Sequence, residues 1–166
     1  MPLIYFDHNA TTAVDEKVLE AMIPFFRQKY GNASSLHSLG IEARRAINQA
    51  REQVACAVGV QPAQIIFTSG GSEANNLFIR GAADYLKVSS IVISAIEHPC
   101  VTRPAQELAR RSHNPWSLHQ LIVNTEGQVN LDDASIAIAN KPGLVSVMLA
   151  NNETGGIQEV AAIAEL

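Results

Sequence analysis

Three short polar clusters in this chain carry residue types that could do chemistry together. They are Thr68-Ser69-Gly70-Gly71-Ser72-Glu73, Glu97-His98-Pro99 and Asn151-Asn152-Glu153-Thr154-Gly155, and each follows an apolar run of strand character. The first leads into a helix, whose unpaired N–H groups and positive dipole end can receive an anion. Gly70 and Gly71 permit close approach of the backbone, and Ser69 or Ser72 adds a hydroxyl. The bland alternative is a helix cap at Ser72 with Gly-Gly making the turn. The cluster is neither a Gly-Lys-Ser/Thr phosphate loop nor a G-x-G-x-x-G turn.

His98, after a strand end and before a proline, offers an imidazole over a bound aromatic ring, available for acid/base work. Equally, it can be a histidine hydrogen-bonded at a helix start. Asn151 and Asn152 offer amides to orient a carbonyl or phenolate oxygen, or they simply make the turn. Each signal is weak alone, and the shared location at the ends of strands strengthens all three. Other candidates fall to plainer readings. His37, His113 and His119 lack metal-ligand spacing, Cys56 reads as core, and Cys100 reads as a small packing residue rather than a nucleophile. Arg44, Arg45 and Arg51 are expected on the exposed side of a helix.

The elements that must position these clusters are legible from periodicity. Leu3–Phe6 is a short apolar run closed by Asp7-His8-Asn9. Asp15 stands as N-cap of a helix with Val18, Leu19, Met22, Ile23 and Phe26 at helical spacing, which Pro24 should bend or end. Gly31–Ser35 is a loop. A long helix is expected from Ser38 to Val58, stopped by Gly59, with Leu39, Ala43, Ala46, Ile47, Ala50, Val54 and Ala57 on its buried face. Beyond Pro62 the pattern alternates: strands at 65–68, 91–94, 118–123 and 144–149, and helices at 72–86, 99–111 and 132–139, with another from Gln158. Strands apolar on both faces alternating with helices define an α/β fold, a mostly parallel sheet flanked by helices. In such sheets ligands bind beyond the carboxyl ends of the strands, where the three clusters fall.

Bulk properties narrow the class. The chain has 166 residues, 47% hydrophobic and 17% charged, with a net charge of −4, which leaves no basic surface for nucleic acid. Two cysteines are too few for a disulfide framework, and no leader or apolar membrane-spanning run is read, so the expected compartment is the cytoplasm.

Tyr5-Phe6-Asp7-His8-Asn9-Ala10-Thr11-Thr12, Gly31-Asn32-Ala33-Ser34-Ser35-Leu36-His37, Thr68 to Asn76, Glu97-His98-Pro99 and Ala150 to Gly155 together resemble, in order and spacing, the cysteine desulfurases. These are the NifS/IscS-like branch of the class V aminotransferase-fold enzymes. The resemblance implies the N-terminal part of a pyridoxal-phosphate (PLP) transferase large domain of fold type I, with residues 1–14 as an N-terminal segment and 15–166 as an incomplete PLP-binding domain. It implies that Gly71 and Ser72 hold the cofactor phosphate, that His98 stacks on the pyridine ring and relays protons, and that Asn152 bonds near the phenolic oxygen and the substrate carboxylate. The segment Ala10-Thr11-Thr12 would line the substrate side. The implied reaction takes sulfur from L-cysteine, giving alanine and an enzyme persulfide for iron–sulfur cluster assembly or thiolation. The implied partners are a sulfur acceptor or iron–sulfur scaffold protein and a second subunit.

The family's Schiff-base lysine, its pyridine-pairing aspartate and its sulfur-accepting cysteine are expected beyond Leu166. Lys17, Lys29, Lys87 and Lys141 have the wrong setting. The terminal helix carries no stop signal, so the expectation is a truncated chain, inactive alone and prone to self-association through uncovered apolar surface. Two alternatives stand beside it: a non-catalytic paralogue serving as scaffold, and a selenocysteine lyase or other class V enzyme.

Overall fold

The computed structural model describes residues 4–166. Leu3, which opens the expected apolar run, lies outside them. The chain divides into two compact units, residues 1–67 and 68–166.

In the first unit, α1 (Glu16–Arg27) starts where Asp15 accepts a hydrogen bond from the Lys17 N–H. Pro24 does not itself end this helix: α1 continues through it to Arg27, and the Pro24 carbonyl takes bonds from Gln28 and Lys29. The helix is exposed along its length, so water can reach the Glu20 carbonyl that the proline leaves without a donor. The long helix α2 has the expected bounds, Ser38–Val58, and ends at Gly59 with φ 72°. Only a residue without a Cβ enters that left-handed conformation freely.

Its apolar face is less covered than expected. Ala43 is buried and Ala46 and Ala50 half-buried, whereas Leu39, Ile47, Val54 and Ala57 are exposed. Cys56, expected in the core, is exposed. Its neighbour Ala55 takes the buried position, and one residue along a helix turns the side chain by about 100°. Arg51 also departs from its expected exposure. Half-buried, it donates from Nη1 to the Ile65 carbonyl at 2.9 Å, and its guanidinium lies 5.1 Å from the centre of the Phe67 ring. Residues 65–68 form no strand. A strand needs a ladder partner, and none of the described residues supplies one; a 3-10 turn at Pro62–Gln64 leads into them instead.

The second unit holds the sheet. Its elements are α3 (Gly71–Tyr85), β1 (Ser90–Ser94), α4 (Pro99–Ala109), β2 (Ser117–Leu121), α5 (Leu131–Ala139), β3 (Leu144–Ser146) and α6 (Val160–Ala164). The sheet is parallel throughout, in the order β2-β1-β3, with Ile91 opposite both Leu118 and Leu144. The central strand is buried on both faces, as its uninterrupted apolar sequence requires. Ile91 and Ile93 pack with Ile79, Val101, Leu108 and Trp116 beneath α3 and α4. Val92 points the other way, to Leu121, Ala134, Ala137 and Ile163 beneath α5 and α6. At about 1.5–3 kcal/mol for each large apolar side chain fully buried, these two clusters hold the unit together.

The turn before β3 depends on Gly143, where a Cβ would sit 2.3 Å from the Val88 carbonyl oxygen. β3 itself is shorter than its apolar sequence, 144–149, predicts. The ladder stops at Ser146, near the end of its partner β1 at Ser94, and the Met148 N–H goes to the Glu97 carboxylate instead. No helix among the described residues is long and apolar enough to cross a membrane.

Candidate active site

All three strands point the same way, so the loops after them share one edge of the sheet. His98 follows β1 by four residues, and Asn151 and Asn152 follow β3 by five and six. Two crossed hydrogen bonds tie these loops. The Met148 N–H donates to Glu97 Oε1 at 2.6 Å, and Asn151 Nδ2 donates to the Ile96 carbonyl at 3.1 Å. The third cluster joins through the helices. Asn75 Nδ2, in the first turns of α3, lies 3.0 Å from Cys100 Sγ in the first turn of α4. Ser72, Asn76, His98, Arg103 and Glu107 line one open cleft of about 310 Å³ between these helices.

Each predicted site residue now has a setting. α3 begins one residue earlier than expected, at Gly71, with Gly70 rather than Ser72 at the cap. The first helical bond runs from the Ala74 N–H to the Gly70 carbonyl, so the N–H groups of Gly71, Ser72 and Glu73 have no partner among the described residues. A Cβ at Gly70 or Gly71 would meet nothing, which leaves the backbone open to a ligand. Glu73 does not cover these donors. It folds back so that Oε2 accepts from both the N–H and the hydroxyl of Ser69 at 2.6 Å, bonds that hold its pKa below the usual carboxylate value.

His98 is the N-cap of α4: Nδ1 accepts from the Cys100 N–H at 3.1 Å. The helix-start reading holds, and the cap bond that fixes the ring leaves Nε2 as the protonated nitrogen of the neutral imidazole. Asn151 is buried at 8% exposure, and its Oδ1 accepts from Glu153 N, Thr154 N and Thr154 Oγ1. It makes the turn. Asn152 is exposed, and no described residue engages its side chain, so of the pair it is the one free to meet a ligand.

Sequence reasoning placed Glu97 in the cluster without giving it a task. In the structure it is half-buried, with Oε1 accepting from the Ser94 hydroxyl at 2.9 Å as well as from Met148. Burial pushes its pKa up, and those two bonds oppose the rise. The signal was available: a carboxylate at the end of a fully buried strand must find donors nearby. Cys100 is half-buried against the α3–α4 core, in line with its packing assignment.

The aminotransferase class-V family matches this chain over residues 4–166. The chain belongs to that family. Within it, the chain is 42% identical over 165 residues to a cysteine desulfurase of Sinorhizobium fredii, covering 98% of this chain and 42% of that protein. It is 41% identical to the cysteine desulfurase IscS of Dictyoglomus turgidum, over 98% of this chain and 41% of that one. A solved NifS-like protein superimposes with a TM-score of 0.91 at 39% identity, over 98% of this chain and 44% of the other. SspA, solved in complex with cysteine, does so with a TM-score of 0.85 at 33% identity, over 97% and 46%. This class-V chain thus spans about two-fifths of the length of the curated relatives it matches.

PLP is the cofactor expected of these relatives, and the donor set suits its two ends. A doubly charged phosphate needs several N–H donors and a backbone that can come close, which the start of α3 presents. A planar ring needs a flat partner held in one orientation, which the capped His98 provides.

Proposed function

We propose that this chain forms the phosphate and ring side of the PLP cradle of a cysteine desulfurase, with residues 15–166 as part of its cofactor-binding large domain. The observation that supports this reading is the cleft that Ser72 and His98 line together, with the loops of His98 and Asn152 following neighbouring parallel strands. PLP, when bound, supplies the electron sink that weakens bonds at the substrate's α-carbon. Gly71 and Ser72 hold its phosphate through free N–H groups and the serine hydroxyl. His98 lies against the ring and offers Nε2–H to move a proton. Asn152 donates its amide to the phenolic oxygen and the substrate carboxylate.

The overall change proposed is the transfer of one sulfur atom. The C–S bond of L-cysteine breaks, an S–S bond forms on an enzyme thiol, and the thiol proton ends on the carbon as alanine. The persulfide then passes to a sulfur-acceptor or iron–sulfur scaffold protein, and the working protein is a dimer. Neither cysteine of this chain is assigned the accepting thiol.

Two lysines lie in the sheet-bearing unit, Lys87 and Lys141. They precede β1 and β3, at the amino edge of the sheet, opposite the loops that carry His98 and Asn152. We therefore propose that the chain alone binds PLP without capturing its aldehyde and does not turn over. Titrating it with PLP should shift the amide resonances of Gly71, Ser72 and Glu73 while the free-aldehyde absorbance persists. Unmoved α3 amides would sink the cradle, and alanine released from L-cysteine would sink the inactivity. The full-length protein should release alanine from L-cysteine; release from selenocysteine alone would make it a lyase of that substrate instead.

A further inference from the structure

We infer that Glu97 is a positioning residue: its carboxylate ties the chain after β3 to the loop after β1 and so fixes Asn152 relative to His98. This rests on the roles proposed for those two residues. They stand on loops from different strands, and nothing in the sequence joins them. The structure does so through Glu97, adjacent to His98, whose Oε1 receives the Ser94 hydroxyl from its own strand and the Met148 N–H from the neighbouring one. β1 gives way to a turn after Ser94, so no ladder partner stands opposite Met148, and the Glu97 carboxylate takes its N–H instead. Beyond that tie the Ala150–Ile157 bridge closes the loop that presents Asn152. Asn151 completes the tie in the opposite sense by donating to the Ile96 carbonyl.

The test has two stages. In the cofactor-free chain, Glu97→Ala should speed amide exchange at Met148 by about tenfold, the loss of one hydrogen bond, and shift the resonances of His98 and Asn152. Glu97→Gln keeps an oxygen acceptor and should leave them close to wild type. Ser94→Ala removes only the hydroxyl that steadies the carboxylate and should move the same resonances less. It serves as the fallback if Glu97→Ala does not fold. Unmoved Asn152 and His98 resonances in both Glu97→Ala and Ser94→Ala would overturn the inference. In the PLP titration, Glu97→Ala should weaken binding by about tenfold in the wild-type background but by much less once Asn152 is alanine, because the effect is routed through the placement of that side chain. Equal weakening in both backgrounds would also overturn it. Failure of the wild-type chain to bind PLP would instead refute the cradle, and the exchange experiment would still decide the role of Glu97.

Discussion

Asn151→Ala is the sharpest probe of how the loop at the sheet edge is held. The side chain makes four hydrogen bonds to nitrogen or oxygen partners: one donated to the Ile96 carbonyl, and three accepted from Glu153 N, Thr154 N and Thr154 Oγ1. A net hydrogen bond contributes about 0.5–1.5 kcal/mol. Glu153 and Thr154 are exposed and can be rehydrated when Oδ1 is lost, which puts their bonds at the lower end of that range. The Ile96 bond is less accessible and counts fully. The total is about 2.5–3 kcal/mol, or roughly a 100-fold rise in local opening. Amide hydrogen exchange at Glu153 and Thr154 measures it directly, and it should report the loop without unfolding the unit. Asn151→Asp separates the two halves of the tie, because a carboxylate keeps the three acceptor bonds and loses the donor to Ile96. It should restore slow exchange at Glu153 and Thr154 while leaving the loop loose from residue 96. Acceleration below about threefold in Asn151→Ala would refute the claim that this side chain holds the turn.

Three further outcomes are expected. Gly143→Ala puts a Cβ 2.3 Å from a backbone oxygen that cannot swing away, so it should cost about 1–3 kcal/mol in urea unfolding of the sheet-bearing unit; an unchanged midpoint would contradict the close approach. Arg51→Met keeps the apolar stem but loses the bond to Ile65 and the stacking on Phe67, about 1–2 kcal/mol together, and Arg51→Lys should not restore it; exchange at residues 65–67 reads this. Because burial raises the folded-state pKa of Glu97, its contribution to stability is fully present below its ordinary value of 4.5 and is lost as pH rises through the folded value. The stability of Glu97→Gln relative to wild type should therefore climb across that window, and a flat difference would show that burial leaves the carboxyl unshifted.

The uncovered apolar surface bears on the expected self-association. Phe6, Phe26, Leu36, Ile66 and Tyr85 are all more than two-thirds exposed, and α1 has no buried residue. Residues of this kind collected on one chain favour association. Sedimentation of the purified chain should show species larger than a monomer.

Much of this protein was legible in its sequence because the relevant physics is local. The 3.6-residue period and the Asp15 and Gly59 caps gave α1 its start and α2 its bounds, and the apolar run around Ile91 and the stretch from Leu118 located β1 and β2. Two of the chemical clusters could also be found, since they sit where β1 and β3 give way to loops. Tertiary structure decided what local rules cannot. Residues 65–68 have strand composition but no ladder partner among the described residues, and a strand is a property of a pair. Cys56 and Arg51 exchanged their expected settings because burial depends on what packs opposite a helix face, which periodicity does not record. His98 proved to be both cap and candidate ring partner, and Asn151 was separated from Asn152 by a hydrogen-bond count. Glu97 shows the limit most clearly. Its type and position were plain in the sequence, but its acceptor role needs Met148, fifty-one residues away, brought alongside by the parallel pairing of β1 with β3.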